Sequence, residues 1–289
     1  MKFSIVIPLY NKEDGIVSSI ESVLNQTFKD FEVVIVDDGS TDTSIERIQQ
    51  FDDCRIRLIT QQNAGPSAAR NHGVRKANGE WILYLDADDE LEPDALSHFN
   101  NLISKYPKYK CFACNYYLEK GGKKRVRSMF YQDGIVHNGH RAWFFARLLP
   151  CQGSFVLSRD VALNNPYPEN LRRWEDAAML FDVMRKHKFV RSHIPVFTYH
   201  LDMTEGSHRC KNFQLDFVCN LNPVCKGFWE QICLYHLYKQ ACRMYPEEAK
   251  VLYPRSFFSS KIRFSYLAIN ALSDFAISLK HILFRVTDR

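Results

Sequence analysis

The chain has 289 residues, of which 46% are hydrophobic and 25% charged, and its formal net charge is +5. This length and apolar content allow one substantial core, so one catalytic domain with a smaller appendage is expected and a disordered or fibrous chain is excluded. The mildly basic charge suits an anionic small molecule or a membrane surface, and it is too weak to indicate binding to nucleic acid.

The nine cysteines are typical of reduced thiols rather than of a disulfide framework. Their number is odd, and Cys219, Cys225 and Cys233 lie in apolar stretches. The N-terminus reaches Pro8 early and lacks the apolar length of a signal peptide, and the apolar segment from 257 to 284 is interrupted by charged residues. These features predict a cytoplasmic protein without a membrane-spanning helix.

Short apolar runs alternate with helical patterns in the first third of the chain, as in a mostly parallel sheet covered by helices on both faces. The predicted strands are Phe3–Pro8, Glu32–Val36, Arg55–Thr60 and Trp81–Leu85. Between the first two, Ile16, Ile20 and Val23 keep the spacing of one helical face. A proline in the first turn predicts a helix over Pro93–Lys105.

The middle of the chain predicts further strands and one more helix. Gly121-Gly122 is typical of a hairpin turn, Trp174–His187 is an amphipathic helix pattern, and a strand follows over Phe189–Tyr199, so the sheet gains antiparallel or mixed members. From about residue 212 onward, helical segments dominate. We therefore predict a catalytic domain over 1–208, with halves 1–110 and 111–208, and a C-terminal helical region over 209–289.

Polar residues follow each of the four predicted parallel strands. In chain order they are Tyr10-Asn11, Asp37–Asp42, Asn63–Gly65 and Asp86–Asp89. Ligands bind outside the carboxyl ends of the strands in an open parallel sheet, so these residues and Arg70 are expected to lie in one crevice. Carboxylates at this density need a cation. Mg²⁺ or Mn²⁺, held by one or two carboxylates and substrate phosphates, satisfies both the acidic cluster and an anionic ligand.

Ordinary structural roles stay open for both acidic motifs. Asp37–Ser40 is equally typical of a turn that leads into a helix cap. Asp86–Asp89 is compatible with an acidic helix cap, but an acidic triplet directly after an apolar strand favours a metal site. The sequence contains no G-x-G-x-x-G, G-x-x-x-x-G-K-[ST] or H-E-x-x-H motif, which removes the main support for dinucleotide oxidoreductases, P-loop enzymes and zincins.

Five segments together resemble the motifs of family 2 glycosyltransferases of the GT-A fold, which build bacterial surface polysaccharides and related glycans. The resemblance covers about residues 1–200 and follows the order of the family's motifs. The segments are Ser4–Asn11, Val36–Asp42, Asn63–Asn71, Leu85–Asp89 and Trp174–Asp176. The resemblance implies a Rossmann-like α/β sheet with a helical appendage. It also implies inverting transfer of a hexosyl or N-acetylhexosaminyl group from a nucleotide diphosphate, with UDP expected, to a carbohydrate or lipid-linked glycan acceptor.

The resemblance also implies a nucleotide pocket. Pro8, Tyr10, Asp38 and Asn63 would line the base and ribose, with Asp38 as the partner of the base, and Gly65 would belong to the same pocket.

Further residues take phosphate and metal roles by the same resemblance. Arg70 would steady the pyrophosphate. Asp86 and Asp88 match the family's D-x-D motif, in which the first aspartate touches ribose or metal and the second coordinates Mn²⁺ or Mg²⁺ under the diphosphate. His200 lies where some relatives supply a third metal contact, although a lone histidine is more often structural. The segment Thr204–His208 resembles a loop that closes over the phosphates.

Asp176 matches the family's catalytic base, which takes the proton of the acceptor hydroxyl while the oxygen attacks the anomeric carbon from the opposite face. Without the other motifs, Glu175-Asp176 would be typical of acidic residues in the first turn of a helix. Pro150–Ser154 stands where many relatives carry tryptophan or lysine, so acceptor recognition is not carried over. The sequence has no Q-x-x-R-W motif, which favours single addition over processive synthesis.

Two other functions fit the sequence less well. A non-catalytic regulatory protein of the same fold would bind the sugar nucleotide without needing both Asp88 and Asp176. A nucleotidyltransferase needs a glycine- and arginine-rich loop after its first strand, and Leu9–Glu13 does not offer one.

The C-terminal stretch Lys261–Arg285 mixes apolar and basic residues. It suits either peripheral contact with the inner face of the cell membrane, where a lipid-linked acceptor resides, or packing on the catalytic domain or on a second copy of the chain. The apolar positions do not form a single helical face, which favours packing.

Overall fold

A computed structural model of the chain describes residues 1–127, 133–146, 148, 150–201, 212–221, 227–252 and 258–271. The chain divides into two compact units, 1–211 and 212–289, and each is considered by itself. The predicted domain boundary after residue 208 lies outside the described residues, as do Thr204–His208 and the last part of Lys261–Arg285.

The first unit is built on one mixed sheet with helices packed on it. In chain order its strands are β1 (Phe3–Leu9), β2 (Phe31–Asp37), β3 (Ile56–Thr60), β4 (Trp81–Tyr84), β5 (Glu90–Leu91), β6 (Cys111–Lys120), β7 (Lys123–Val126), β8 (Gly134–Val136), β9 (Phe155–Ser158) and β10 (Phe189–His200). Its helices are α1 (Ile16–Leu24), α2 (Ser44–Ile48), α3 (Pro66–Lys76), α4 (Ala95–Lys105), α5 (Gly139–Phe144), α6 (Arg159–Asn164) and α7 (Glu175–Lys186). The predicted α/β class is confirmed.

Strand direction places the functional loops together. The sheet order is β3-β2-β1-β4-β9-β6-β10-β5, with β7 on β6 and β8 on β10. Strands β1 to β4 are mutually parallel, and β9 runs antiparallel to both β4 and β6. Strands β6 and β10 are parallel to each other and therefore run in the direction of β1 to β4. The carboxyl ends of these six strands lie at one edge, which we call the carboxyl edge.

Successive residues of β1 enter two different cores, because side chains alternate across a strand. Ile5 and Ile7 pack with Ile16 and Ile20 of α1 on one face of the sheet. Val6 points to the other face, where it joins the core that includes residues of α3. Helices therefore cover both faces of the parallel strands, which explains why β1, β2 and β4 are apolar almost throughout.

Several boundaries and elements differ from those predicted. Helix α4 begins at Ala95 rather than at Pro93, with Asp94 at its N-cap position. Strand β9, which lies between β4 and β6, and the two-residue strand β5 were not predicted. Both are short, and short apolar runs carry little periodic signal.

The second unit is helical in its described residues. It contains α8 (Phe228–Met244), α9 (Pro246–Leu252) and a helix over 260–271. The ring of Tyr235 makes edge contacts with Phe258 and Tyr266 at centroid distances of 5.2 and 5.0 Å. The predicted helical C-terminal region is confirmed. Within the described part of the chain, every helix is too short or too polar to cross a lipid bilayer.

Candidate active site at the carboxyl edge

Hydrogen bonds between the first two strand ends fix the loops at the carboxyl edge. Asn11 adopts a left-handed backbone conformation with φ of 49°, and its side-chain oxygen accepts a hydrogen bond from the backbone N–H of Thr41 at 2.8 Å. The backbone N–H of Asn11 donates to Ser40 Oγ at 3.1 Å. Asparagine tolerates this conformation better than most residues. The polar residues after β1 and β2 thus hold each other in place.

Asp38 joins the end of β2 to the loop after β3. Its side chain is buried, and it accepts hydrogen bonds from Gln61 Nε2 at 2.8 Å and from the backbone N–H groups of Ala64 and Gly65 at 2.8 and 2.7 Å. The carboxylate therefore shapes the loop in which Asn63 is exposed. Its predicted role as the partner of the nucleotide base stays a prediction.

The other predicted pocket residues stand around this loop. Pro8 is partly buried and lies opposite Val36 in the sheet, whereas Tyr10 is 47% exposed at the end of β1. Gly65 has φ of +92°, and a Cβ added to it would lie 2.8 Å from Cζ of Arg172. Glycine fits this position for two reasons, because L-residues avoid that backbone conformation and the guanidinium fills the space.

Arg70 connects the end of β4 to the start of α7. Its Nη2 lies 2.6 Å from Asp86 Oδ1 and its Nη1 lies 3.6 Å from Glu175 Oε1. The guanidinium also lies over the ring of Tyr167, 5.1 Å from the centroid. Burial opposes its charge, but the neighbouring carboxylates and Tyr167 more than offset this and raise the pKa of Arg70.

Arg70 also has side-chain N–H groups that are not used in hydrogen bonds with the described residues. The residue is only 3% exposed, yet its Nε and Nη1 have no hydrogen-bond partner among the described residues. Buried donors without acceptors are costly, so their occurrence next to several carboxylates is characteristic of a binding site.

Asp176 lies at the first turn of α7, beside this cluster. The preceding Trp174 has φ of 60°, which turns the chain sharply into the helix. Burial, and next the charge of Glu175, raises the pKa of Asp176 from 3.8 to about 6, while Arg70 opposes the shift. The charge of Asp86 contributes in the same direction as Glu175, so the end of β4 and the start of α7 are electrostatic neighbours.

The remaining aspartates of the loop after β4, Asp88 and Asp89, are repelled electrostatically by neighbouring carboxylates. Burial, followed by the charge of Asp86, raises the pKa of Asp88, and Lys12 opposes this from 3.0 Å. Burial also raises the pKa of Asp89 well above its ordinary value, with Asp86 and Asp88 adding to the effect. The Oδ2 atom of Asp89 has no hydrogen-bond partner in the described residues.

His200 ends β10 next to this loop. Its backbone N–H donates to Asp89 Oδ1 at 3.0 Å, and its ring lies between Glu90 and Glu119, with N···O distances of 3.5 and 3.7 Å. The structure thus brings His200 to the loop, with its ring directed at two glutamates.

Within the described residues, no three histidine, cysteine or acidic side chains are arranged to hold a metal ion by themselves. The predicted ligand set of Asp86, Asp88 and His200 is therefore not assembled as a cage. The donor chemistry still fits a hard cation, because Mg²⁺ and Mn²⁺ bind readily through one or two carboxylates when substrate phosphates complete the shell. The ammonium of Lys12 already lies against Asp88, which marks a position where positive charge is favoured.

Sequence reasoning missed four contributors to the site. Lys12 pairs with Asp88, Gln61 with Asp38, Glu175 with Arg70, and Arg172 packs on Gly65. Glu175 was within reach of prediction, because it adjoins Asp176. The other contacts are made by long side chains between segments that are distant in the sequence, and no local sequence pattern predicts them.

Residues 4–164 match the family described as glycosyl transferase family 2. The chain belongs to glycosyl transferase family 2. Among curated members of this family of glycosyltransferases, an uncharacterized glycosyltransferase of Rickettsia felis is 34% identical over 194 residues, which cover 64% of this chain and 31% of that protein. The segment with Trp174–Asp176 lies beyond the family match.

Two further relatives are named for polysaccharide synthesis. Chondroitin synthase of Escherichia coli is 37% identical over 146 residues, covering 50% of this chain and 20% of that protein. The minor teichoic acid biosynthesis protein GgaA of Bacillus subtilis is 31% identical over 199 residues, covering 64% and 44%. The matches span less than half the length of each of these relatives.

Solved structures share the fold of this family 2 chain. TarS of S. aureus in complex with UDP-GlcNAc superposes with a TM-score of 0.70 at 20% identity, covering 95% of this chain and 80% of that chain. The mannosyltransferase PcManGT from Pyrobaculum calidifontis, in complex with GDP-Man and Mn²⁺, gives 0.54 at 14% identity, covering 92% and 83%. The predicted GT-A fold is confirmed.

Proposed function

We propose that this chain is a metal-dependent, inverting glycosyltransferase that moves a sugar from a UDP-sugar to a hydroxyl of an acceptor glycan in cell-surface polysaccharide synthesis. The observation that carries the proposal is the Arg70 cluster, in which one buried guanidinium contacts Asp86 at the end of β4 and Glu175 at the start of α7. Asp176 follows Glu175 directly in the chain, so the candidate base adjoins a residue that pairs with the same cation as the donor-side carboxylate Asp86.

The donor would lie along the loops after β1, β2 and β3. Asp38 holds the loop of Asn63 and Gly65 in a fixed shape, which suits recognition of a base by preformed polar groups. Solved structures of TarS carry UDP and UDP-GlcNAc, which supports uracil as the base. Nε and Nη1 of Arg70, which donate no hydrogen bond to the described residues, suit the diphosphate, because guanidinium groups bind phosphate oxygens strongly.

A divalent cation would be held by Asp88 and Asp86, with the donor phosphates as the remaining ligands. Bound there, it would neutralise the charge that develops on the departing nucleotide diphosphate. The carboxylates fit this role because burial and mutual repulsion raise the pKa of Asp88, a cost that a bound cation relieves. Lys12 would give up its contact with Asp88 or move toward the phosphates.

Asp176 would act as the general base. A pKa of about 6 leaves its carboxylate ionised at neutral pH and makes it a stronger base than an ordinary aspartate. The hydrogen bond from Ala177 N–H to Asp176 Oδ1 at 2.7 Å orients the side chain. As Asp176 takes the acceptor proton, the acceptor oxygen would bond to the anomeric carbon from the face opposite the bond to the nucleotide diphosphate. That bond breaks, the diphosphate leaves, and the anomeric configuration is inverted.

Calorimetric titration of UDP-GlcNAc with and without Mn²⁺ tests the proposal. Asp88→Ala should abolish the gain in affinity that Mn²⁺ gives the wild type. The matched control is Asp52→Ala, because Asp52 is exposed and remote from the carboxyl edge, and it should titrate as the wild type does. Identical titrations of Asp88→Ala and wild type would refute the metal assignment, and a wild type that binds no nucleotide sugar at all would refute the function.

A further inference from the structure

Strands β6 and β7 form a strongly basic hairpin. Five of the eight residues from Lys120 to Arg127 are lysine or arginine. The turn is made by Gly121 and Gly122, with φ of +55° and +71°, which is the conformation that a tight two-residue hairpin needs. Among the described residues strand β7 pairs with β6 alone, and all four of its residues are exposed.

The two faces of this hairpin differ in charge pairing. On one face Lys124 contacts Glu92, and its ammonium lies 4.4 Å from the centroid of the Tyr117 ring. The opposite face carries Lys120, Lys123 and Arg125, since directly paired residues of an antiparallel hairpin share a face. None of these three forms an ion pair with a carboxylate among the described residues. We call this set the basic face.

The hairpin leads toward the candidate active site. Strand β6 ends at the carboxyl edge, and the next basic residue after β7, Arg127, lies 5.6 Å from the centroid of the Tyr116 ring and donates its backbone N–H to Tyr116 O at 2.9 Å. Tyr116 is buried. The positive charge therefore begins at the tip of the hairpin and continues to its base.

The hairpin meets the acidic loop at His200, whose backbone N–H donates to Asp89 Oδ1 at 3.0 Å and whose ring lies 3.7 Å from Glu119 of β6. Charges of both regions also act on the thiol of Cys151. Burial, and then the charges of Asp89, Asp176 and Asp86, raise the pKa of this thiol, whereas Arg127 opposes them. Both groups of charges thus act on one partly buried side chain.

We propose that the basic face and Arg127 bind an anionic acceptor glycan and lead its terminal hydroxyl to Asp176. This inference rests on the proposed function and adds the chemical class of the acceptor. An anionic chain is repelled by Asp86, Asp88 and Asp89, so it needs compensating positive charge just outside the crevice. The hairpin supplies that charge at the same edge of the sheet, and the chain of a neutral glycan would make no use of it.

Charged residues on an edge strand also discourage pairing between sheets, and this role predicts no acceptor binding. A lipid surface is the other ligand that exposed lysines attract. Neither explains why the unpaired charges lie on one face of the hairpin, or why Arg127 continues the positive charge to the base of the hairpin, where β6 contacts His200.

The test compares two triple variants that each remove three positive charges. The first is Lys120→Ser, Lys123→Ser and Arg125→Ser. The matched control changes three exposed lysines that lie near the amino ends of β2, β4 and β6, at the opposite edge of the sheet. The control substitutions are Lys29→Ser, Lys76→Ser and Lys108→Ser.

Fluorescently labelled poly(glycerol phosphate) serves as the anionic probe and dextran as the neutral one, in anisotropy titrations of the full chain. The hairpin variant should bind the anionic probe about tenfold more weakly than wild type, because each exposed ion pair contributes only modestly to the binding free energy. Its affinity should also depend less on salt. The control should bind as wild type does, and dextran should not bind.

The same preparations are titrated with UDP-GlcNAc and Mn²⁺, which separates the two proposals. Donor affinity should be equal in wild type and both variants. Equal weakening of probe binding in both triple variants, or none in the hairpin variant, would overturn the inference even where the donor binds. Binding to phosphatidylglycerol vesicles that is lost in the hairpin variant, without binding of the labelled polymer, would assign the hairpin to the membrane and would also overturn it.

Discussion

Asp176→Asn should inactivate the protein and stabilise it at neutral pH. As the general base, Asp176 is expected to contribute at least about 100-fold to turnover. Its raised pKa also means that its charge is unfavourable in the folded chain. Asparagine keeps the shape and an acceptor for the N–H of Ala177, which now bonds Asp176 Oδ1 at 2.7 Å. The substitution therefore removes mainly the charge.

The size of the stabilisation expected for Asp176→Asn follows from the pKa of Asp176, which rises from 3.8 to about 6. A difference of about two pKa units corresponds to about 3 kcal/mol of unfolding free energy. The cost of the charge is absent below pH 4, where Asp176 is protonated in both states. It grows between pH 4 and 6, and it is fully present above pH 6. The gain in Asp176→Asn should follow the same course.

Urea unfolding in EDTA at pH 5, 6, 7 and 8 measures this effect, and the matched control is Asp182→Asn. Asp182 lies on the same helix, is 55% exposed and pairs with Arg185 at 2.8 Å, so its replacement should cost less than about 1 kcal/mol at every pH. For the wild type, kcat/KM should rise with pH to a plateau above about pH 6. The reasoning is refuted if Asp176→Asn retains wild-type turnover, or if it is less stable than wild type at pH 8.

Two further substitutions test the pocket and the cluster. Gly65→Ala places a Cβ against Arg172 at φ of +92° and should weaken UDP-GlcNAc binding about tenfold in calorimetry. The control Gly121→Ala, at φ of +55° with open space around it, should leave the affinity for UDP-GlcNAc unchanged. Equal losses of affinity in both variants would contradict this expectation. Arg70→Met leaves two carboxylates without their shared cation and should lower the free energy of unfolding by about 3 to 5 kcal/mol, so a loss below about 1 kcal/mol in urea unfolding would show that the cluster is not held by Arg70.

The parallel part of the sheet was predictable because its information is local. Strands β1, β2 and β4 are buried on both faces, which makes them continuous apolar runs in the sequence, and polar residues begin where each strand ends. The rule that such ends share one edge then places Asp38 and Asp86 at one edge without any knowledge of contacts.

The rest depended on contacts between distant segments. Strand β9 has four residues, and only its pairing with β4 and β6 fixes its direction. Lys12 and Asp88 are 76 positions apart, yet their charged atoms lie 3.0 Å from each other. No periodic pattern encodes such a pair, because a long side chain can reach many positions on the surrounding loops.

The direction in which the pKa of each carboxyl group is shifted helps to distinguish a binding role of the acidic motifs from a role as turns or helix caps. A carboxylate in such a role accepts hydrogen bonds from neighbouring groups, and its pKa falls. Asp53 is an example, because hydrogen bonds from Arg55 lower its pKa to about 2. The pKa values of Asp88, Asp89 and Asp176 move the other way, through burial and mutual repulsion. These three carboxylates therefore cost the fold stability, and a bound cation would lower that cost, which favours a binding role over a capping role.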